Sequence, residues 1–147
     1  MSTRIGLAAG ALSVLLPLAA LPEDAPKVPA SAGRASSLLT VGGAYTMEAG
    51  GCERHSRNFR VYSRRPIDVS RVETGQTVSG VYLRPRDQAG RAGWRNVSVS
   101  ADGHSVDFEL YAEGTGRFKA IPSEGRECVE ATPARVVVDV QAWVLDP

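Results

Sequence analysis

From residue 37 onward the chain shows no helical periodicity; apolar and polar residues alternate at the period of a strand instead. In Arg135–Val144, Val136, Val138, Val140, Ala142 and Val144 share one face, with Arg135, Val137, Asp139, Gln141 and Trp143 on the other. That pattern predicts a half-buried strand rich in β-branched residues, placed centrally in a sheet. Val106, Phe108, Leu110 and Ala112 likewise share a face, opposite Ser105, Asp107, Glu109 and Tyr111. Leu39–Met47, Phe59–Ser63 and Thr77–Leu83 are further strand candidates, and Val69–Glu73 is a weaker one.

Turn chemistry sets registers between these runs. Asp102-Gly103 is the pair favoured by a two-residue type I′ hairpin, where both residues need positive φ. Such a turn opposes Val99 to Val106 and Val97 to Phe108, two apolar pairs on one face. Treating Glu113-Gly114-Thr115 as a three-residue loop opposes Leu110 to Phe118 and Phe108 to Ala120. The expectation is a three-stranded meander from Trp94 to about Ile121. About seven short strands with turn signals every 8–12 residues predict an all-β domain. Its expected form is an antiparallel β-sandwich of immunoglobulin-like shape, with a small β-barrel as the alternative.

The first 37 residues carry a different pattern. One positive charge at Arg4 precedes an apolar stretch, Ile5 to Leu21, and no further charge occurs before Glu23. A short basic start, an apolar run and small residues around Ala20 predict a secretory signal peptide over residues 1–21. The competing reading is a retained N-terminal anchor, weakened by Gly10, Ser13 and Pro17 in a stretch barely long enough to span a bilayer. Pro22, Pro26 and Pro29 among Ala, Ser and Gly predict a stiff linker over residues 22–37. The folded domain is then expected over residues 38–147, a common domain size. Export implies a secreted, periplasmic or cell-surface location, with membrane contact only through the N-terminal segment if it is uncleaved.

That location bears on the cysteines. Cys52 and Cys128 are the only two in 147 residues, and outside the cytoplasm a lone pair predicts a disulfide. Gly and charged neighbours suggest that both lie in loops or at strand ends. A catalytic thiol partnered by His55 is the lesser reading, because a bonded sulfur offers no thiolate. Two Cys and two His do not fill a structural metal site, so no metal or other cofactor is expected.

The net charge of +1 conceals a division. Residues 54–95 hold ten Arg and three acids, a net of +7, whereas residues 96–147 hold four bases and nine acids, a net of −5. Three arrangements follow from this. Strands of the two halves can pair, so that their charges meet and cancel in exposed ion pairs that contribute little. Alternatively the Arg residues form an anion-binding surface: with Phe59 and Val61 inward, Arg60, Tyr62 and Arg64 line the outer face, flanked by Arg57 and Arg65. Arg forks onto carboxylate, sulfate or phosphate, which suits an acidic protein or an anionic glycan. Nucleic acid is disfavoured by the scarcity of interleaved aromatics. Thirdly, a basic face could meet an acidic face on a second copy, giving head-to-tail self-association.

Catalytic signatures are poor. No nucleophile elbow, zinc-binding His-Glu-x-x-His or phosphate-cradling Gly loop occurs. His104 follows a turn, and His55 sits among Arg. Asp107 and Glu109 share a strand face about 7 Å apart, a spacing used by inverting glycosidases, but a solvated strand face is the favoured reading of them. Trp143 and Tyr111, each opposite the apolar face of its strand, are candidates for a sugar-stacking platform. The resulting expectation is an exported, non-enzymatic binding module that contacts an anionic partner through the Arg-rich 54–95 surface, with Arg57, Arg60, Tyr62, Arg64 and Arg65 as its binding residues and no catalytic residue. The alternatives are a self-assembling structural subunit and, with least support, a secreted hydrolase.

Overall fold

The structure is a computed structural model, and residues 34–147 of it are described below. The expected signal segment and residues 22–33 of the expected linker lie outside the described residues. These residues form eight antiparallel strands and no helix. In chain order they are β1 (Ser36–Ala49), β2 (Arg54–Tyr62), β3 (Val81–Ala89), β4 (Arg91–Val99), β5 (Ser105–Glu113), β6 (Thr115–Ile121), β7 (Gly125–Thr132) and β8 (Ala134–Leu145). One three-stranded sheet has the order β1-β8-β3, a second has β2-β5-β4, and β6 and β7 form a separate ribbon.

The two three-stranded sheets pack face to face around one core. Each central strand supplies its apolar face: Val136, Val138, Val140, Ala142 and Val144 from β8, and Val106, Phe108, Leu110 and Ala112 from β5, all buried. Val81 and Leu83 of β3, Val61 of β2 and Ala92 of β4 complete the interior. Residues at alternate positions along a strand point to one face, which is why these two runs could be read directly. The β-sandwich is thus the fold. The immunoglobulin-like comparison extends to its two packed antiparallel layers, in which the first strand lies beside the last.

Several elements differ from the sequence expectation. The meander stops after two strands: β4 and β5 pair, but the other edge of β5 is taken by β2, so Phe108 faces Phe59 and Leu110 faces Arg57. β6 instead turns away to pair with β7, placing Phe118 opposite Cys128 and Ala120 opposite Arg126. The turn at Gly114 dictates this departure. Its N–H donates to the Glu53 carbonyl at 2.7 Å, and an added Cβ there would collide with the Gly50 carbonyl oxygen. β7 was not expected at all, since Gly125–Thr132 is polar and largely exposed and carries no alternation. The expected strand at Thr77–Leu83 begins later, at Val81, because Thr77 to Gly80 form a tight turn closed by bonds between Thr77 or Val78 and Val81. Val69–Glu73 is not a strand.

The β4–β5 hairpin keeps the expected Val99–Val106 pair with a different turn. Only Gly103 has positive φ, at 78°, and its N–H donates to the Ser100 carbonyl at 2.9 Å, so Asp102-Gly103 is not a type I′ pair. Asp102 instead accepts from the His104 N–H and the Ser100 hydroxyl. Further along, a bulge between Arg95 and Ser98 replaces the Val97–Phe108 pairing, with Asn96 at φ 58°.

The disulfide joins Cys52 to Cys128 with Cα atoms 5.9 Å apart. Cys52 lies in the turn before β2, as expected of a loop residue, but Cys128 lies within β7. The bond therefore ties the ribbon to the sandwich.

Candidate functional site

Of the ten arginines in the Arg-rich stretch, Arg60, Arg71, Arg86, Arg91 and Arg95 hold a carboxylate, and Arg54, Arg57, Arg64, Arg65 and Arg84 hold none among the described residues. On the outer face of the β2-β5-β4 sheet, Asp107, Glu109 and Glu113 of β5 run between arginines on both flanking strands. Arg60 of β2 grips Asp107 with two bonds, at 2.6 and 2.8 Å. Arg95 of β4 grips Glu109 at 3.1 and 3.2 Å, and Arg91 reaches Glu113 at 3.0 Å. On the other sheet Arg86 holds Asp139, and Arg135 holds Glu48 and Asp87. Antiparallel register makes the Arg60–Asp107, Arg95–Glu109, Arg91–Glu113 and Arg135–Glu48 pairs, because opposed residues project on the same side. Arg86–Asp139 and Arg135–Asp87 instead reach diagonally beside the β3 bulge. The guanidinium bonds hold the Asp107 and Glu109 carboxyls below their ordinary values of 3.8 and 4.5, and raise Arg60 and Arg95. Neither carboxyl is therefore poised to stay protonated as a general acid.

Arg60, expected as a binding residue, is thus occupied by Asp107. Arg57 projects toward the Phe59 ring, with its guanidinium carbon 5.4 Å from the centroid. Tyr62 lies beside Arg60, to which its side chain is hydrogen-bonded, and it also lines, with Arg64 and Arg65, an open cleft of about 620 Å³. Tyr62 is 73% exposed, and neither Arg64 nor Arg65 has a carboxylate partner among the described residues.

The backbone of Tyr62 to Arg65 is fixed from behind. The Ser63 N–H donates to the His104 carbonyl at 2.8 Å, His104 Nδ1 lies 2.9 Å from the Ser63 carbonyl, and the Ser63 hydroxyl donates to the Arg65 carbonyl at 2.6 Å. Ile67 is bonded to Gly103 and forms a bridge with Val144. His104, read from sequence only as a turn residue, thus helps position Tyr62 to Arg65. Leu39, Val41 and Gly42 of β1 line the same cleft, as do Val144 and Pro147. Sequence reasoning missed the three of β1, since nothing local to them reports that the fold sets β1 beside the Arg pair.

The remaining candidates separate. Trp143 and Tyr111 lie on different sheets, so they form no common platform. Arg71 lies over the Trp143 ring at 3.8 Å, and Arg95 over Tyr111 at 4.5 Å. His55 contacts Glu53 at 3.2 Å, which with the Gly50 N–H lowers the Glu53 carboxyl. No group of three or more His, Cys, Asp or Glu side chains suited to a metal occurs among the described residues. Comparison with protein-family models, curated proteins and solved structures gives no match for the chain.

Proposed function

We propose that the protein is an exported, non-enzymatic binding module whose cleft between β1 and the Tyr62–Arg65 segment takes an anionic partner. The observation that carries this reading is the contrast among arginines. Arg60, Arg86, Arg91 and Arg95 each hold a carboxylate, whereas Arg64 and Arg65 line an open cleft without one. An Arg already gripped at both nitrogens has little to offer a ligand; an unpaired Arg keeps its full fork of donors. Tyr62 adds an exposed ring and hydroxyl beside them, a combination common at binding sites. The rigid backing by Ser63 and His104 lowers the ordering cost of an encounter. Export agrees with the basic start and apolar run of residues 1–21, and the Cys52–Cys128 bond is compatible with an oxidising compartment.

The test is retention on a sulfated matrix at low salt. Replacing Arg64 and Arg65 together with Ser should abolish retention, while Arg60→Ser should leave most of it. Unchanged retention of the double variant, with an unchanged circular dichroism spectrum, would remove this reading.

A further inference from the structure

β1 is bonded to β8 along one edge only; its other edge has no strand beside it among the described residues. Open edges are ready templates for pairing, and folded proteins usually block them with Lys, Pro or a bulge. From Ser36 to Met47 β1 carries no charged residue and no Pro. Its one blocking device is the bulge at Gly42-Gly43, which leaves the Ser36–Val41 portion regular. Leu38 and Leu39 in that portion are 39% and 38% exposed. Leu39 and Val41 also line the cleft that Tyr62, Arg64 and Arg65 line. An unblocked edge and an unpaired cation pair therefore border the same cleft.

We propose that an extended acidic segment of another protein adds to the Ser36–Val41 edge of β1 as a further strand. Its carboxylates, on the strand face turned to the cleft, reach Arg64 and Arg65, and its alternate apolar side chains lie on the other face beside the exposed Leu38. Strand addition draws affinity from main-chain bonds and specificity from alternate side chains, so each half of the cleft has its counterpart in such a segment. The inference rests on the anion-binding reading and names its partner class. Charge decides among occupants. A second copy's β1 has no acid between Ser36 and Met47 and would bring its own Arg64 and Arg65 toward these, a like-charge contact. A sulfated glycan can satisfy the arginines but has no ladder of N–H and C=O groups spaced at about 3.4 Å per residue to match the edge.

The probe is a synthetic ten-residue peptide alternating Glu and Val, titrated into the full chain beside two N-methylated forms. One carries methyls on every Glu amide, the other on every Val amide. Alternate amides of a strand point to opposite edges, so only one set can face β1. The expected result is binding of the parent peptide, a loss of more than about tenfold with one methylation pattern and little change with the other. The Arg64→Ser, Arg65→Ser double variant should lose the parent peptide as well. Equal binding of both methylated forms would overturn strand addition, as would a β1-paired dimer that the peptide does not dissociate. If sulfated dextran binds through Arg64 and Arg65 while the peptide does not, the inference fails and the anion-binding reading stands. If neither binds, both fail.

Discussion

Phe108 and its neighbour Asp107 show how differently adjacent residues contribute. Phe108 is buried and stacks on Phe59 with centroids 5.5 Å apart, while Tyr45 meets both rings edge-on at 5.6 and 5.3 Å. Such clusters add specific geometry to ordinary burial. Phe108→Ala should cost about 3–5 kcal/mol, since it removes a large buried ring between two layers that cannot simply close. Urea unfolding checks this, and a loss below about 1 kcal/mol would mean the core does not centre on this ring. Asp107 points outward to Arg60, and both side chains are well exposed. Asp107→Asn should therefore move the urea midpoint far less. The pH dependence has a defined sign. Folding lowers the Asp107 and Glu109 carboxyls, so the folded state binds fewer protons than the unfolded chain near their ordinary values. Their contribution is complete above those values and is lost as pH falls through the lowered ones. The stability difference between wild type and the Asp107→Asn, Glu109→Gln variant should stay constant from pH 7 to 5 and shrink below about pH 4. A difference that grows in acid would contradict the pairing.

At the scale of elements, β5 and β8 were legible because each buries one complete face in a two-layer packing, which writes a period of two into the sequence. β3 was legible only where it is buried: Val81 to Leu83 alternate no further, and Arg84 to Ala89 run exposed along an edge past a bulge at Pro85. β7 has no buried face to record. Its partner β6 is legible as a strand but not as a partner of β7, because turn length reports local geometry and not which edge is already occupied. The candidate site divides in the same way. Arg57, Arg60, Arg64 and Arg65 look alike in sequence, and only the β2–β5 register reveals that Asp107 removes Arg60 from the set. The bulge at Asn96 was equally hidden. Asn tolerates its φ of 58° and its amide donates to Glu109 at 3.1 Å, whereas a β-branched residue there meets the left-handed penalty. Asn96→Val should lower stability by about 1–2 kcal/mol, with Asn96→Gly costing much less. Thermal unfolding of the two variants checks the order, and equal melting temperatures would argue against the bulge.

For the whole molecule, the disulfide and the charge distribution act at the same long range. The basic and acidic halves of the chain meet as neighbouring strands, so most of the +7 and −5 is spent in ion pairs. The sandwich closes by its own core, with β5 and β8 facing each other. The ribbon of β6 and β7 has no comparable interior: Phe118 is 52% exposed, with Arg126 lying over its ring at 4.2 Å. Its links to the body include the Gly114 turn, the Cys52 N–H to the Thr115 carbonyl at 3.2 Å, the close packing of Gly51 on Ala131, and the disulfide. Joining residues 76 apart stabilises by up to about 4.5 kcal/mol in the chain-entropy view, with measured gains often smaller. Removing both cysteines should lower global stability by an amount within that bound, and its local effect should be uneven. Because the core lies in the two sheets, amide exchange should accelerate first in β6 and β7, while the amides of β5 and β8 stay protected until global unfolding. Hydrogen exchange of the Cys52→Ala, Cys128→Ala variant reads both effects. Exchange that speeds up uniformly over all eight strands would show that the ribbon is integral to the core and not an appendage clamped mainly by the disulfide.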